Sequence, residues 1–348
     1  MRFLTRCLLA GLLLVLSGTS LTTVAGPRYT LKFATLVPQG TVWMNVLEDW
    51  GREVAERSKG ELVFKFYPGG VQGDEPDVIK KMRFGQLQGG AFTGYGVGLI
   101  YPPARILEMP FLFKDHAEID EVRTRYMPEF EQGFRDSGYE LLGWSEIGFI
   151  HFFSKHPLTS LDDLKQQRIW LWQGDQLGEA WFQAAGVSPI PLSITDVYTS
   201  LSTGLIDTVY CTPLATVALQ WFTKTAYMTN VPMANGIGVL LVSRRFFDKL
   251  PPHLKQLLHE TGRATGERLI AMTREDNQKS IDILQQEGIK LVLNREDIDQ
   301  TELEQLSESA AARLTASGYI PRPLFDRTRA LLGEIRAREA SGKPRSRD

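Results

Sequence analysis

Leu31-Lys32-Phe33-Ala34-Thr35-Leu36 is broken by Pro38-Gln39-Gly40 and followed by Trp43, Val46, Leu47, Trp50 and Val54, and it opens the pattern that decides the fold. The first run alternates as a strand does, whereas the second set falls at helical spacing. Leu62, Phe64 and Phe66 alternate again before Pro68-Gly69-Gly70. Asp77 to Leu87 then reads as a second helix and Gly89 to Thr93 as a short, tightly packed strand. This rhythm predicts an α/β fold, a mostly parallel sheet with helices on both faces. It resumes after Ser160, with Arg168 to Trp172 as a strand, Gln176 to Ala185 as a helix and Val187 to Pro191 as the next strand.

Two apolar segments read as crossings between lobes, Phe149-Ile150-His151-Phe152-Phe153 and Gly238-Val239-Leu240-Leu241-Val242. Pro251-Pro252 opens a helical run that continues to Gly288 and carries Leu254, Leu257, Leu258, Leu269, Met272 and Leu284. At 1.5 Å per residue it would reach roughly 50 Å, longer than one lobe is wide, so it is expected to span both. Leu303 to Ala316 reads as another helix, and the charged stretch from Arg336 to Asp348 is expected to be disordered. The boundaries that follow are lobe I over residues 26–147 plus 236–275 and lobe II over 148–235 plus 276–325. Residues 326–348 form a C-terminal tail, expected to be partly disordered.

The first 25 residues stand apart. Arg2 and Arg6 make a basic head, Cys7 to Leu16 is apolar, and Thr23-Val24-Ala25 offers a small-residue cleavage site before Gly26. This is the form of a secretory signal peptide, too short in its apolar core to span a bilayer, and it predicts a periplasmic mature protein. The whole chain carries 39 basic against 41 acidic residues. Without Arg2 and Arg6 the formal charge falls from −2 to −4, with no basic stripe, which argues against a nucleic-acid partner. Of two cysteines, Cys7 leaves with the leader and Cys211 stays alone, so no internal disulfide and no cysteine-built metal site can form.

The chain resembles the DctP family, the extracytoplasmic receptors of TRAP transporters, from Leu31 to about Leu324. The resemblance is carried by Gly73-Asp74-Glu75, by Gly85-Gln86-Leu87 leading into Gly89-Gly90, and by Glu108-Met109-Pro110-Phe111-Leu112-Phe113. Leu161-Asp162-Asp163-Leu164-Lys165 and Asp196-Val197-Tyr198-Thr199-Ser200-Leu201, with Gly204-Leu205-Ile206-Asp207 behind it, complete the order. It implies two α/β lobes hinged around a ligand cleft, a small-molecule ligand, and a small and a large transporter membrane subunit as partners. No cofactor is implied.

One departure bears on the ligand. In most of the family, the strand after Leu161–Lys165 carries an arginine that grips the ligand's carboxylate through a two-pronged ion pair. Aligning Leu164-Lys165 and Ile169 with that motif puts Trp170 at the arginine's position, and Arg168 matches the family's lysine. A second arginine, in a Gly-Phe-Arg-His pattern of sialic-acid-type members, reads here as Gly148-Phe149-Ile150-His151. A one-residue slip would bring Arg168 back as the anchor, at the cost of the match at Leu164 and Ile169. Closing a carboxylate between lobes without a charged partner costs several kcal/mol. The expected ligand is therefore largely apolar or aromatic, with a carboxylate held by Arg168 as the alternative.

Ligands bind beyond the carboxyl ends of parallel strands. That places Glu75, Thr93, Tyr95 and Trp43 at the cleft from the first lobe, and Trp170, Trp172, Gln173, Asp175, Tyr210 and Thr212 from the second, with Ile150 at the crossing. Trp43 also fits a core role on its helix stripe. Trp170 is expected to be partly wet when the cleft is open.

Catalytic chemistry finds little support. No Gly-x-Ser-x-Gly, phosphate loop or metal-binding His pair appears. Cys211 with His151 would lack a third partner, and Asp74, Glu75 and Asp207 are better explained as helix-start and turn residues. The sequence reads as a binding protein and not an enzyme.

Overall fold

The computed structural model describes residues 26–341. Among the described residues ten strands carry the fold: β1 (Tyr29–Ala34), β2 (Leu62–Tyr67), β3 (Gly89–Thr93), β4 (Tyr139–Ser154), β5 (Trp170–Trp172), β6 (Ile190–Leu192), β7 (Thr208–Cys211), β8 (Tyr227–Thr229), β9 (Ala234–Ser243) and β10 (Lys290–Val292). One sheet runs β10-β8-β4-β9-β3-β1-β2, with β7 also paired to β4, and β5 and β6 form a separate parallel pair. The signal peptide reading, residues 1–25, lies outside the described residues.

The sheet is mixed, which corrects the expectation of a mostly parallel one. β1 pairs parallel with β2 and β3, but β9 lies antiparallel to both β3 and β4. The cause is the pair of crossing strands. β4 is 16 residues long, and its first half belongs to the lobe I sheet while its last residues pair with β7 and β8 of lobe II. β9 accompanies it antiparallel through the crossing, so the hinge is a two-stranded ribbon.

The ribbon bends at Gly148. The register shifts there, between Glu146 and Gly148, and Gly148 adopts φ 108°, a conformation in which a side chain is strained. A Cβ at this position would also strike Asn277. Asn277 sits on the long helix Pro252–Gln286 and ties three elements together: its Nδ2 donates to Ile147 O at 2.9 Å, and its Oδ1 accepts from Leu214 N at 3.0 Å. The long helix thus spans both lobes, as its length required. Lobe I buries Leu31, Phe33, Leu47, Trp50, Leu240 and Leu258 on one side of its sheet and Phe92, Phe130, Phe134 and Val239 on the other.

Several boundaries moved. The second helix is Glu75–Arg83, started by Asp74 as its cap and stopped before Gly85 at φ 76°. β5 begins at Trp170, because Arg168 uses its backbone to bond Asp207. The tail expected to be disordered from Arg336 is helical as far as Ala340, within a helix over Arg322–Ala340. Leu331, Leu332 and Ile335 are buried there, and Arg336 donates to both oxygens of Glu118 at 2.7 and 2.9 Å. Its charges are docked on partners far away in sequence, which composition alone does not reveal.

Candidate functional site

Between the lobes lies a small chamber of about 90 Å³. Thr93, Gly94 and Tyr95 reach it from the carboxyl end of β3, where the following helix Gly94–Ile100 starts with Thr93 as its cap. Arg105 and Glu108 come from the 3₁₀ turn Pro102–Glu108. The opposite wall is Trp170 and Trp172 on β5, Tyr210, Cys211 and Thr212 on and after β7, and Trp221; Ile147, Ile150 and Ile237 line the hinge side. A wider mouth of about 330 Å³ opens outward, lined by Leu36, Val37, Trp43, Leu214, Val217 and Leu219 among others.

The wall opposite lobe I is an aromatic stack. Trp170 lies nearly parallel to Tyr210 at 4.9 Å between ring centroids, edge-on to Trp221 at 5.4 Å and 5.6 Å from Trp172. The Trp170 indole N–H donates to Leu192 O at 3.0 Å, so the polar edge is satisfied and the ring presents an apolar surface. Packed on Tyr210, Trp172 and Trp221 of its own wall, Trp170 is 2% exposed with the lobes drawn together.

They are held by polar bonds across the cleft. Asp74 caps its own helix by accepting from Glu75 N at 2.7 Å and also accepts from the Trp172 indole at 3.0 Å and Ser193 Oγ at 2.7 Å. The Tyr95 hydroxyl donates to Gln173 O at 2.7 Å. Arg105 makes a third bridge, pairing with Asp175 while its Nε donates to Glu108 at 2.6 Å and Nη1 to the Tyr319 hydroxyl at 3.1 Å. Burial opposes the Arg105 charge, but Asp175 and Glu108 hold it ionised. Burial also raises the Glu108 carboxyl, with Arg105 and the Ile237 N–H working against it. The chamber's charged lining is one cation already bound to two carboxylates.

Of the residues expected from the sequence, Trp170, Trp172, Tyr95, Thr93, Tyr210, Thr212 and Ile150 stand around the chamber. Trp43 lines the mouth and donates its indole N–H to Thr273 at 2.7 Å, which joins its core and cleft roles. Gln173 offers only its carbonyl, since its side chain is exposed. Glu75 lies behind the wall: it accepts from Thr93 N at 2.6 Å, Thr93 Oγ1 at 3.0 Å and Gly96 N at 2.5 Å, and burial pushes its carboxyl up to about 8. Arg168 is outside the chamber, half exposed and paired with Asp207 at 3.0 Å. Sequence reasoning missed Arg105, Trp221 and the cross-cleft role of Asp74. The Glu108 motif stands three residues after Arg105, but a buried ion pair is visible only once Asp175 is brought opposite.

Cys211 and His151 face each other in the β4–β7 register. Burial raises the thiol to about 11 and lowers the imidazole to about 4, the latter held by a 2.7 Å bond between Nδ1 and Thr229 O. Both are neutral near pH 7, an arrangement that generates no thiolate.

Comparison with known proteins bears on this architecture. The sequence profile of "Bacterial extracellular solute-binding protein, family 7" (DctP) matches residues 33–314. The 2,3-diketo-L-gulonate-binding periplasmic protein YiaO of Escherichia coli K12 is 25% identical over 239 residues, 68% of this chain and 73% of that protein. The sialic acid-binding periplasmic protein SiaP of Vibrio cholerae is 24% identical over 271 residues, covering 75% and 82% of the two chains. Among solved structures, a TRAP periplasmic solute-binding protein of Sulfitobacter sp. with bound β-D-galacturonate superposes with a TM-score of 0.79 at 19% identity, over 87% of this chain and 98% of the other. One from Pseudomonas putida F1 with bound D-glucuronate gives 0.77 at 23% identity, over 86% and 96%.

Proposed function

The chain belongs to the DctP family of bacterial extracellular solute-binding proteins, and from that premise we propose that it captures a small, largely apolar organic solute and hands it to the membrane subunits of a TRAP-type secondary transporter. Membership makes it a solute-binding receptor and not an enzyme. Export by the leader, with cleavage between Ala25 and Gly26, is part of the proposal.

The observation that carries the ligand class is the state of the one cation at the chamber. Arg105 is saturated by Asp175 and Glu108, so an incoming carboxylate would meet an excess of negative charge in a low-dielectric site. The Trp170–Tyr210 stack, the edge-on Trp221 and the isoleucines at the hinge instead offer burial and dispersion to an apolar body. The uronates seen in relatives favour a second reading, in which a ligand carboxylate displaces Asp175 and takes the Arg105 fork. Arg168, committed to Asp207, is remote from the chamber.

Calorimetry of the mature protein with two panels, uronates and small carboxylates against apolar and aromatic solutes, separates the readings. Binding confined to the apolar panel is expected. Tight binding of a uronate would select the carboxylate reading.

A further inference from the structure

We propose that the site is one passage running from the front chamber through the hinge to the rear face, and that its ligand is an elongated, chain-like amphiphile with a small uncharged polar end. The inference rests on the apolar reading above and specifies the solute's shape. Behind Ile150 lies a second, narrow chamber of about 40 Å³ that shares Arg105, Glu108, Ile150, Asp175 and Tyr210 with the front one. Its remaining walls include Leu177, Trp181, Phe182 and Met233. Met233 and Ala234 are in turn walls of a third, rear chamber of about 640 Å³, lined by Phe111, Phe113, Phe149 and Asn235 together with the charged Lys114, Glu304 and Arg336. Three neighbouring cavities thus share walls in series.

The partitions are of a kind that can move aside. Ile150 and the Tyr210 ring give an apolar flank past the Arg105–Asp175 pair, and Met233, the divide at the rear, is an unbranched and adaptable side chain. The segment around it is held in an unusual way. Met233 N donates to Ile150 O at 2.9 Å, Phe111 N donates to Met233 O at 2.9 Å, and Phe111 has φ 57°, a left-handed conformation costly for an aromatic residue.

Two buried polar groups along this line have no partner in the protein. Trp181, 1% exposed and a wall of the middle chamber, has an indole N–H without an acceptor. Asn235, 3% exposed and a wall of the rear chamber, has neither its amide N–H nor its carbonyl oxygen bonded. Buried polar groups in native proteins are nearly always satisfied, and leaving one bare is costly. Asn235 can both give and accept, which suits a hydroxyl or amide terminus. The aromatic front chamber and the Phe111–Met233 stretch suit the apolar chain.

The test is a series of straight-chain alcohols, 1-butanol to 1-dodecanol, titrated into the mature protein by calorimetry, with Met233→Trp and Asn235→Leu alongside. Affinity should climb with length, on the order of a hundredfold for each four methylenes buried. Met233→Trp should weaken dodecanol by at least about tenfold more than butanol, and Asn235→Leu should act on the long alcohols only. Should the tryptophan variant fail to fold, Met233→Phe and the wild-type length series decide alone. Affinity that levels off at butanol or hexanol would overturn the passage and leave the apolar reading standing. Absence of binding at every length would overturn both.

Discussion

The indole N–H of Trp172 on lobe II donates to the Asp74 carboxylate on lobe I at 3.0 Å. A residue that caps a helix in one lobe is thus also the acceptor that holds the other lobe closed, together with Ser193 Oγ at 2.7 Å. Hydrogen bonds to a charged group contribute about 1.5–3 kcal/mol each, and these form only when the lobes meet. Asp74→Ala should therefore favour the open arrangement and weaken ligand binding by about tenfold to a hundredfold. Solution scattering at saturating ligand should report less compaction than in wild type, and unchanged affinity and compaction would remove Asp74 from the latch.

Arg105 poses the opposite problem, because its partners suffer more than it does. Arg105→Met would leave Glu108 and Asp175 buried, 4% and 5% exposed, without their cation. Breaking a buried pair in this way costs about 3–5 kcal/mol. Urea unfolding should show that loss, with Arg105→Lys intermediate because an ammonium cannot serve the planar fork.

Trp170→Ala should act on both stability and binding. The ring is 2% exposed and stacked on Tyr210, so truncation should cost about 3–5 kcal/mol of folding free energy. Affinity for an apolar solute should fall by roughly 1–3 kcal/mol, the scale of losing one buried aromatic contact. Calorimetry under conditions where the variant stays folded measures the second effect apart from the first.

His151 predicts a dependence on pH. Burial lowers its pKa from 6.5 to about 4, so between those values the unfolded chain binds the proton that the folded one refuses. Stability from this group is complete above pH 6.5 and is lost as pH falls toward 4, by about 3 kcal/mol in all. Melting temperature should drop over that interval in wild type and drop less in His151→Gln. Equal slopes would show that the loss comes from groups other than His151.

Much of this was legible in the sequence where the signal is local. Gly89–Thr93 occupies the strand its pattern indicated, and the run after Pro251 is one helix to Gln286. Trp170 and Trp172, two apart on a strand, share a face and line the chamber together. What was not legible depends on partners distant in the chain. Arg105 meets Asp175 70 residues on, Asp74 meets Trp172 98 residues on, and Arg336 meets Glu118 218 residues back. Charge in such segments reads as solvated surface until the fold supplies the opposite charge. Likewise, a one-residue slip in the alignment made Arg168 the alternative anchor, but β5 starts after it and Asp207 claims it.

With its cation already neutralised by Asp175 and Glu108, the chamber is proposed to take an apolar solute. Mass spectrometry of small molecules retained by the mature protein, purified from the periplasm without added ligand, tests that claim most directly. A stoichiometric apolar molecule, released chemically unchanged on unfolding, is the predicted result. A stoichiometric uronate or other small carboxylate would contradict it and point to Arg105 exchanging Asp175 for the ligand.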